Sequence, residues 1–273
     1  MNLLDFDYLL WYSEGRRKEV RGMLAEERFA AIQELLHKKR AATVTELAQA
    51  LDASESTIRR DLILLAGQGK LNKVHGGAVA REEAFDSGEA AMSAKEQLNV
   101  AEKQAIARYA AKQIQPDDVV FLDAGSTTLM MLDFLQPGGA VIVTSGVMHA
   151  QKLVQKGFKA YVLGGMLKPG TEAIVGAAAV QGLSRYNFTK AFLGVNGIAL
   201  SQGYTTPDPE EALVKSTAMD QAYVSYILAD ASKFGRVSAV TVAPLERGCI
   251  ITDRLPDKVY AKHAIIKEVE PDQ

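Results

Sequence analysis

From Glu26 onward, apolar residues fall at Phe29, Ile32, Leu35 and Leu36, the three-and-four spacing of an amphipathic helix, with Lys38, Lys39 and Arg40 crowding its C-terminal end. Thr43-Val-Thr-Glu46 follows with capping-box spacing, in which the hydroxyl and the carboxylate each satisfy a free amide of a first turn, so a second helix is expected to about Leu51. Asp52-Ala53 allows a short turn, and Ser54 is placed to cap a third helix that turns Ile58, Leu62 and Leu65 inward. Two short helices joined this closely make a helix-turn-helix. Past Gly67 and Gly69, residues 70–75 alternate enough for a short strand ending at Gly76-Gly77, which would form a small wing.

Residues 80–97 are acidic, small and weakly periodic, and read as a linker. Beyond it a helix through Ile106, Ala110 and Ile114 leads to an apolar strand at 119–123. Further strands at 140–143, 160–163, 191–195 and 225–229 alternate with helices at 127–135, 147–156, 175–183 and 210–222. Short strands are expected in the tail at 237–242, 249–252 and 264–269. Buried strands alternating with helices imply a mostly parallel sheet covered on both faces. The expected fold is therefore α/β, with a winged helix-turn-helix over 23–79, a linker over 80–97 and a larger, mostly parallel α/β domain over 98–273. Residues 1–22 match nothing that recurs later, and Met23 opens a segment that reads as a natural start. The first 22 residues are expected to be an extension from an upstream start codon.

With 48% hydrophobic and 23% charged residues among 273, the chain is neither disordered nor a membrane bundle. No uninterrupted apolar run approaches the ~20 residues of a spanning helix. Asp5 and Asp7 precede the first apolar stretch and Arg16, Arg17 and Lys18 follow it, the reverse of a signal peptide. The single cysteine, Cys249, can form neither an internal disulfide nor a thiolate cluster, so a cytoplasmic location is expected. His37, His75, His149 and His263 lack metal-ligand spacing, and no dinucleotide fingerprint or nucleophile elbow is present, so neither metal nor cofactor is expected. The net charge of −2 hides a separation: residues 28–81 sum to +4, leaving −6 elsewhere. A basic head on an acidic body suits a protein that grips DNA phosphates with one part only.

In a helix-turn-helix the N-terminal turn of the second helix faces the base edges. Here that turn offers Ser54, Ser56 and Thr57, then Arg59 and Arg60, with Thr43 and Thr45 opening the preceding helix and Lys73 and His75 on the wing. Hydroxyls suit phosphates, and arginine can read guanine with two hydrogen bonds. The run S-E-S-T-I-R-R-D-L followed by G-K-L-N-K-V-H-G-G-A, within residues 54–78, resembles the DeoR family of bacterial transcription regulators. That resemblance implies operator DNA as a partner.

In the body, F-L-D-A-G-S-T-T at 121–128 ends a strand, passes Gly125 and enters a helix. Gly125, Ser126, Thr127 and Thr128 thus make a candidate anion cradle at the C-terminal end of a strand, where open α/β sheets bind ligands, with Asp123 placed to accept a sugar hydroxyl or orient the loop. Other strand ends carry Thr144, Ser145 and Gly146, then Gly164 and Gly165, Asn196 and Gly197, and Lys233, all expected to converge on one rim. The order of these pieces resembles the DeoR C-terminal sensor domain, related in fold to ribose-5-phosphate isomerase, and the whole resemblance runs over about residues 24–255. It implies a phosphorylated sugar as ligand and adds Lys215, with Lys233, as its cationic partners. An isomerase with an appended DNA-binding module is the alternative. The isomerases carry a D-G-A-D-E type cluster where this chain reads A-F-L-G-V-N-G-I, and residues 191–203 hold no Asp or Glu, so binding without chemistry is expected. Within the family, G-V-M-H at 146–149 and G-Y-T-T-P-D-P-E-E-A-L at 203–213 resemble the fructose-operon repressors of Gram-positive bacteria. A homo-oligomeric repressor released by fructose 1-phosphate is what this implies. One departure stands out: the family's usual Thr-Asn strand end reads Thr144-Ser145 here.

Overall fold

The three helices expected at the N-terminus form, the second and third capped by Thr43 and Ser54 as their spacing requires. The computed structural model describes residues 24–80, 84–85 and 91–270, so the extension at 1–22 and Arg81 lie outside the described residues. The chain divides into two units between residues 82 and 83. In the first, α1 (Ala25–Lys39) leads through β1 (Ala41–Thr43) to α2 (Val44–Ala50) and α3 (Glu55–Gly67), followed by β2 (Leu71–Val74) and β3 (Gly77–Ala80). Ile32 and Leu36 of α1, Leu47 of α2, and Ile58, Leu62 and Leu65 of α3 are almost fully buried in one cluster. The wing is larger than the single strand the alternation suggested, because β3 pairs antiparallel with both β2 and β1. A buried ion pair, Arg28 Nε to Asp61 Oδ2 at 2.5 Å, ties α1 to α3 and takes two charges out of the surface count.

The second unit runs α4 (Met92–Gln97), α5 (Val100–Ala111), β4 (Val119–Leu122), α6 (Ser126–Phe134), β5 (Val141–Thr144), α7 (Val147–Gln155) and β6 (Ala160–Val162). It continues with α8 (Ala177–Leu183), β7 (Phe188–Gly194), β8 (Gly197–Ala199), β9 (Gly203–Thr206), α9 (Pro209–Asp220), β10 (Ala222–Leu228), β11 (Val240–Ala243), β12 (Cys249–Thr252) and β13 (Ile265–Glu268). Seven strands form one sheet in the order β13-β12-β10-β7-β4-β5-β6, and each neighbouring pair is parallel. Alternate residues point to opposite faces, so Phe121 joins α8 and α9 in one core while Val120 and Leu122 join α5 and α6 in another. Burial on both faces is what makes these strands read as continuous apolar runs.

The departures from expectation are local. The helix expected from 175 starts at Ala177, because Ile174–Val175 pairs antiparallel with Met166–Leu167. Residues 197–206 and 240–243 build a separate antiparallel sheet, β8-β9-β11, outside the parallel one. The segment read as a linker contains Ala84–Phe85, paired with Arg236–Val237, and the six-residue α4. A helix with one buried side chain, Met92, carries too little periodicity to register in sequence.

The strand order reverses between β4 and β7. From β4 the chain builds outward through β5 and β6; from β7 it builds the other way through β10, β12 and β13. Helices following β4 and β7 leave on opposite sides, and a crevice opens between the two carboxyl ends.

Candidate functional site

On the first unit, every residue expected to meet DNA lies at the surface except Thr57, which is half-buried. Several serve the helix ends first. Ser54 caps α3 by accepting the Thr57 amide at 3.1 Å, with its hydroxyl 2.8 Å from those of Ser56 and Thr57. Thr43 and Glu46 form the capping box of α2, the carboxylate accepting the Thr43 amide at 2.8 Å. Those hydrogen bonds from Thr43 hold the Glu46 carboxyl below the usual range. Glu55 accepts from the Thr45 hydroxyl at 2.8 Å and from Arg59 at 2.6 Å, so one carboxylate links α2 to α3 and fixes one guanidinium. Arg60, Lys73 and His75 are exposed. The arrangement presents cations and hydroxyls around the first turns of α3 and the wing, as a groove-reading helix requires.

The second unit holds a cavity of about 360 Å³ at the switch point, within the roughly 300–1,000 Å³ of small-molecule sites. Asp123, Gly125, Ser126 and Thr127 line it from the end of β4, and Asn196 from just beyond β7. Lys215 enters from α9 and Lys233 from the short turn Ala231–Lys233. These seven predicted residues are brought together. Asp123 fastens the crevice: its Oδ2 accepts the Gly194 amide at 3.0 Å and an ion pair from Lys215, so the ends of β4 and β7 and helix α9 meet at one carboxylate. Glu211 lies one turn before Lys215. Burial pushes its carboxyl up, but Lys215, the Thr171 hydroxyl at 2.7 Å and Lys168 at 3.1 Å outweigh that and hold it below the usual range.

Helix α6 has Gly125 at its N-cap, whose amide donates to Thr128 Oγ1 at 3.0 Å, and a glycine supplies no side chain to cap the following amides of Ser126 and Thr127, two residues that line the cavity. Two further cations line the same cavity. Lys103 of α5 is buried, its ammonium donates to the Lys95 carbonyl, and burial lowers its pKa, with Asp230 nearby working against that. Lys233 is half-buried. Among the described residues neither makes an ion pair. Asp230 is spent on local bonds, accepting the Ser232 amide at 2.9 Å and the Asn99 side chain at 3.1 Å.

The remaining predicted residues sit behind the cavity rather than in it. The Thr128 hydroxyl is fully buried among Asp123 O at 2.6 Å, Gly125 O at 2.8 Å and His149 Nε2 at 3.0 Å, where it shapes the turn. Burial depresses the pKa of His149 to about 4, so the ring is neutral. Thr144 donates to Leu122 O at 2.7 Å and accepts the Gly146 amide at 3.0 Å; Ser145 is buried beside it. Gly146 is closed off by the His149 ring, Gly164 is exposed, and Gly165 at φ 153° abuts the Val175 carbonyl. A side chain at Gly197 would strike the Arg236 carbonyl and lie 2.6 Å from Thr205 Oγ1, so this glycine permits close packing and does not touch the cavity. All of these but Thr128 and Gly197 belong to the ends of β5 and β6, one and two strands away from the switch point. Sequence reasoning missed Lys103, Glu211, Thr171 and Arg236, which also line the cavity.

Comparison with known proteins agrees with this division. Residues 28–84 match the DeoR-like helix-turn-helix domain, and residues 98–254 match the DeoR C terminal sensor domain. The chain is a DeoR-family transcriptional regulator. It is 41% identical over 253 residues to the uncharacterized HTH-type transcriptional regulator FruR of Bacillus subtilis (strain 168), covering 91% of this chain and 100% of that one. The HTH-type transcriptional regulator GlpR of Haloferax volcanii is 36% identical, covering 85% and 91%. The lactose phosphotransferase system repressor of Streptococcus mutans is 30% identical, covering 90% and 99%. Among solved structures, ribose 5-phosphate isomerase A of Methanocaldococcus jannaschii aligns with a TM-score of 0.36 at 15% identity, over 48% of this chain and 53% of that one. The relatives that cover nearly the whole DeoR-family chain are named as regulators, and the chain is a regulator rather than an isomerase. Among the described residues no helix is long and apolar enough to cross a membrane.

Proposed function

We propose that this regulator is a cytoplasmic, homo-oligomeric repressor of a sugar-utilisation operon, that its helix-turn-helix units bind the operator, and that a phosphorylated sugar in the switch-point cavity releases them. The observation that carries this reading is the polarity of the cavity. Its lining includes the amides of Ser126 and Thr127 at a helix start together with Lys103 and Lys233, a setting in which an anion gains charge-assisted hydrogen bonds. The same lining includes Asp123, Glu211, Lys215 and Asn196, which pair among themselves in part and are rich in acceptors for hydroxyls. Such a site suits one phosphate and a polyol, and disfavours a second phosphate beside two carboxyl groups. Fructose 1-phosphate is the first candidate, from the resemblance to fructose-operon repressors and from the name of the Bacillus relative. Two heads on one assembly would read repeated half-sites.

Calorimetry with fructose 1-phosphate, fructose 6-phosphate, tagatose 6-phosphate, fructose 1,6-bisphosphate and free fructose tests the reading. Saturable heat with a monophosphate, much weaker binding of the bisphosphate, and none with free fructose is the expected pattern. Absence of heat with every phosphosugar would overturn it.

A further inference from the structure

The start of the second unit is anchored on the cavity wall at both of its described parts. Ala84–Phe85 pairs in parallel with Arg236–Val237, and Arg236 lines the cavity. Beyond residues 86–90, α4 lines the same cavity with Met92 and Lys95. Helix α4 falls between the two stretches matched by the family models, 28–84 and 98–254. It is lightly held. Met92 is its one buried side chain, the Met92 amide donates to the Gly170 carbonyl at 2.8 Å next to cavity-lining Thr171, and the Lys103 ammonium rests on the Lys95 carbonyl in its last turns.

Lys103 is the pivot. A buried ammonium whose partner is one backbone carbonyl gains a stronger partner when an anion arrives. We infer that α4 is a ligand-operated latch: an anionic group in the cavity draws the Lys103 ammonium away from the Lys95 carbonyl, the end of α4 loosens, and the change alters the grip of the DNA-binding unit that precedes it in the chain. The inference rests on the cavity reading above. An element with so few buried contacts belongs to the low-stability end of a fold, from which switching segments are drawn. The ligand shifts the equilibrium by its differential affinity for the two latch states, and operator DNA must favour the closed latch by the same factor.

Hydrogen–deuterium exchange on the full chain, with and without fructose 1-phosphate and with calorimetry on the same sample, reads the latch directly. Exchange at residues 94–98 is expected to accelerate by about fivefold or more, while residues 125–129 slow. Saturable heat and slowing at 125–129 with no change over 84–98 would overturn the latch and leave the cavity reading standing; no heat with any phosphosugar would overturn both. A second arm uses Phe85→Pro, which disrupts the pairing with Val237 at an exposed residue outside the cavity lining. Ligand affinity is expected to stay within about threefold, while the ratio of operator affinities without and with ligand falls by about fivefold or more. An unchanged ratio counts against the latch.

Discussion

Replacing Lys215 by methionine keeps the apolar stem of the side chain and removes its ammonium. The side chains of Lys215 and Asp123 are only 7% and 5% exposed, and Glu211 leans on the same cation. The variant therefore leaves the Asp123 carboxylate buried without its cation, and Glu211 with Lys168 alone. Breaking a buried pair from one side costs about 3–5 kcal/mol. At roughly 2–4 °C per kcal/mol for a unit of this size, the sensor transition should fall by about 6–20 °C. Scanning calorimetry separates that transition from the one of the head. The penalty has a sign in pH. Lys215 helps hold Glu211 below its ordinary range, so the stabilisation is complete above the unfolded glutamate value and is lost as pH falls through the lowered folded value. Wild type and variant should thus converge as pH falls through the lowered Glu211 value. Adding Asp123→Asn should return part of the loss. A deficit under about 1 kcal/mol at neutral pH, the worth of an exposed pair, or a gap that persists in acid would refute the buried-network reasoning.

Three further outcomes are expected. His149 is held neutral with its pKa depressed to about 4, so the unfolded chain binds the extra proton and stability falls as pH drops below the unfolded value; between pH 7 and 5 wild type should lose about 2 kcal/mol more than His149→Gln in urea unfolding. Leu62, with no exposed surface, anchors the head, so Leu62→Ala should cost about 2–5 kcal/mol there, abolishing operator binding while phosphosugar heat persists. Glu55→Gln frees Arg59 and removes a negative charge beside the DNA-facing turn; non-specific DNA affinity in anisotropy titrations should rise, with stability changed by less than about 0.5 kcal/mol.

The head was legible because its signals are local. Thr43, Ser54 and the Ile58, Leu62 and Leu65 stripe each act within a turn or two, and each does in the fold what its spacing requires. The cavity was legible only in part. That 121–128 would form an anion cradle follows from one strand end, but which other strand end faces it depends on β4 pairing with β7, nearly 70 residues away in sequence. Without the strand order, Thr144 to Gly146 and Gly164 to Gly165 looked equivalent to Asn196, though they end strands beyond the switch point. Lys103 was invisible for a different reason. A lysine on an amphipathic helix reads as solvated, and only the fold shows it buried on the Lys95 carbonyl.

The most direct test couples the two units in one titration. Anisotropy of a labelled duplex carrying the protein's own promoter region, at fixed salt, is followed as fructose 1-phosphate is added to wild type and to Lys103→Gln. Saturable release of wild type, with the duplex affinity of Lys103→Gln unchanged by the sugar phosphate, is the expected result. Operator affinity that no phosphosugar alters, or release that Lys103→Gln shows at the same concentrations, would contradict a cavity that senses phosphate and governs the grip on DNA.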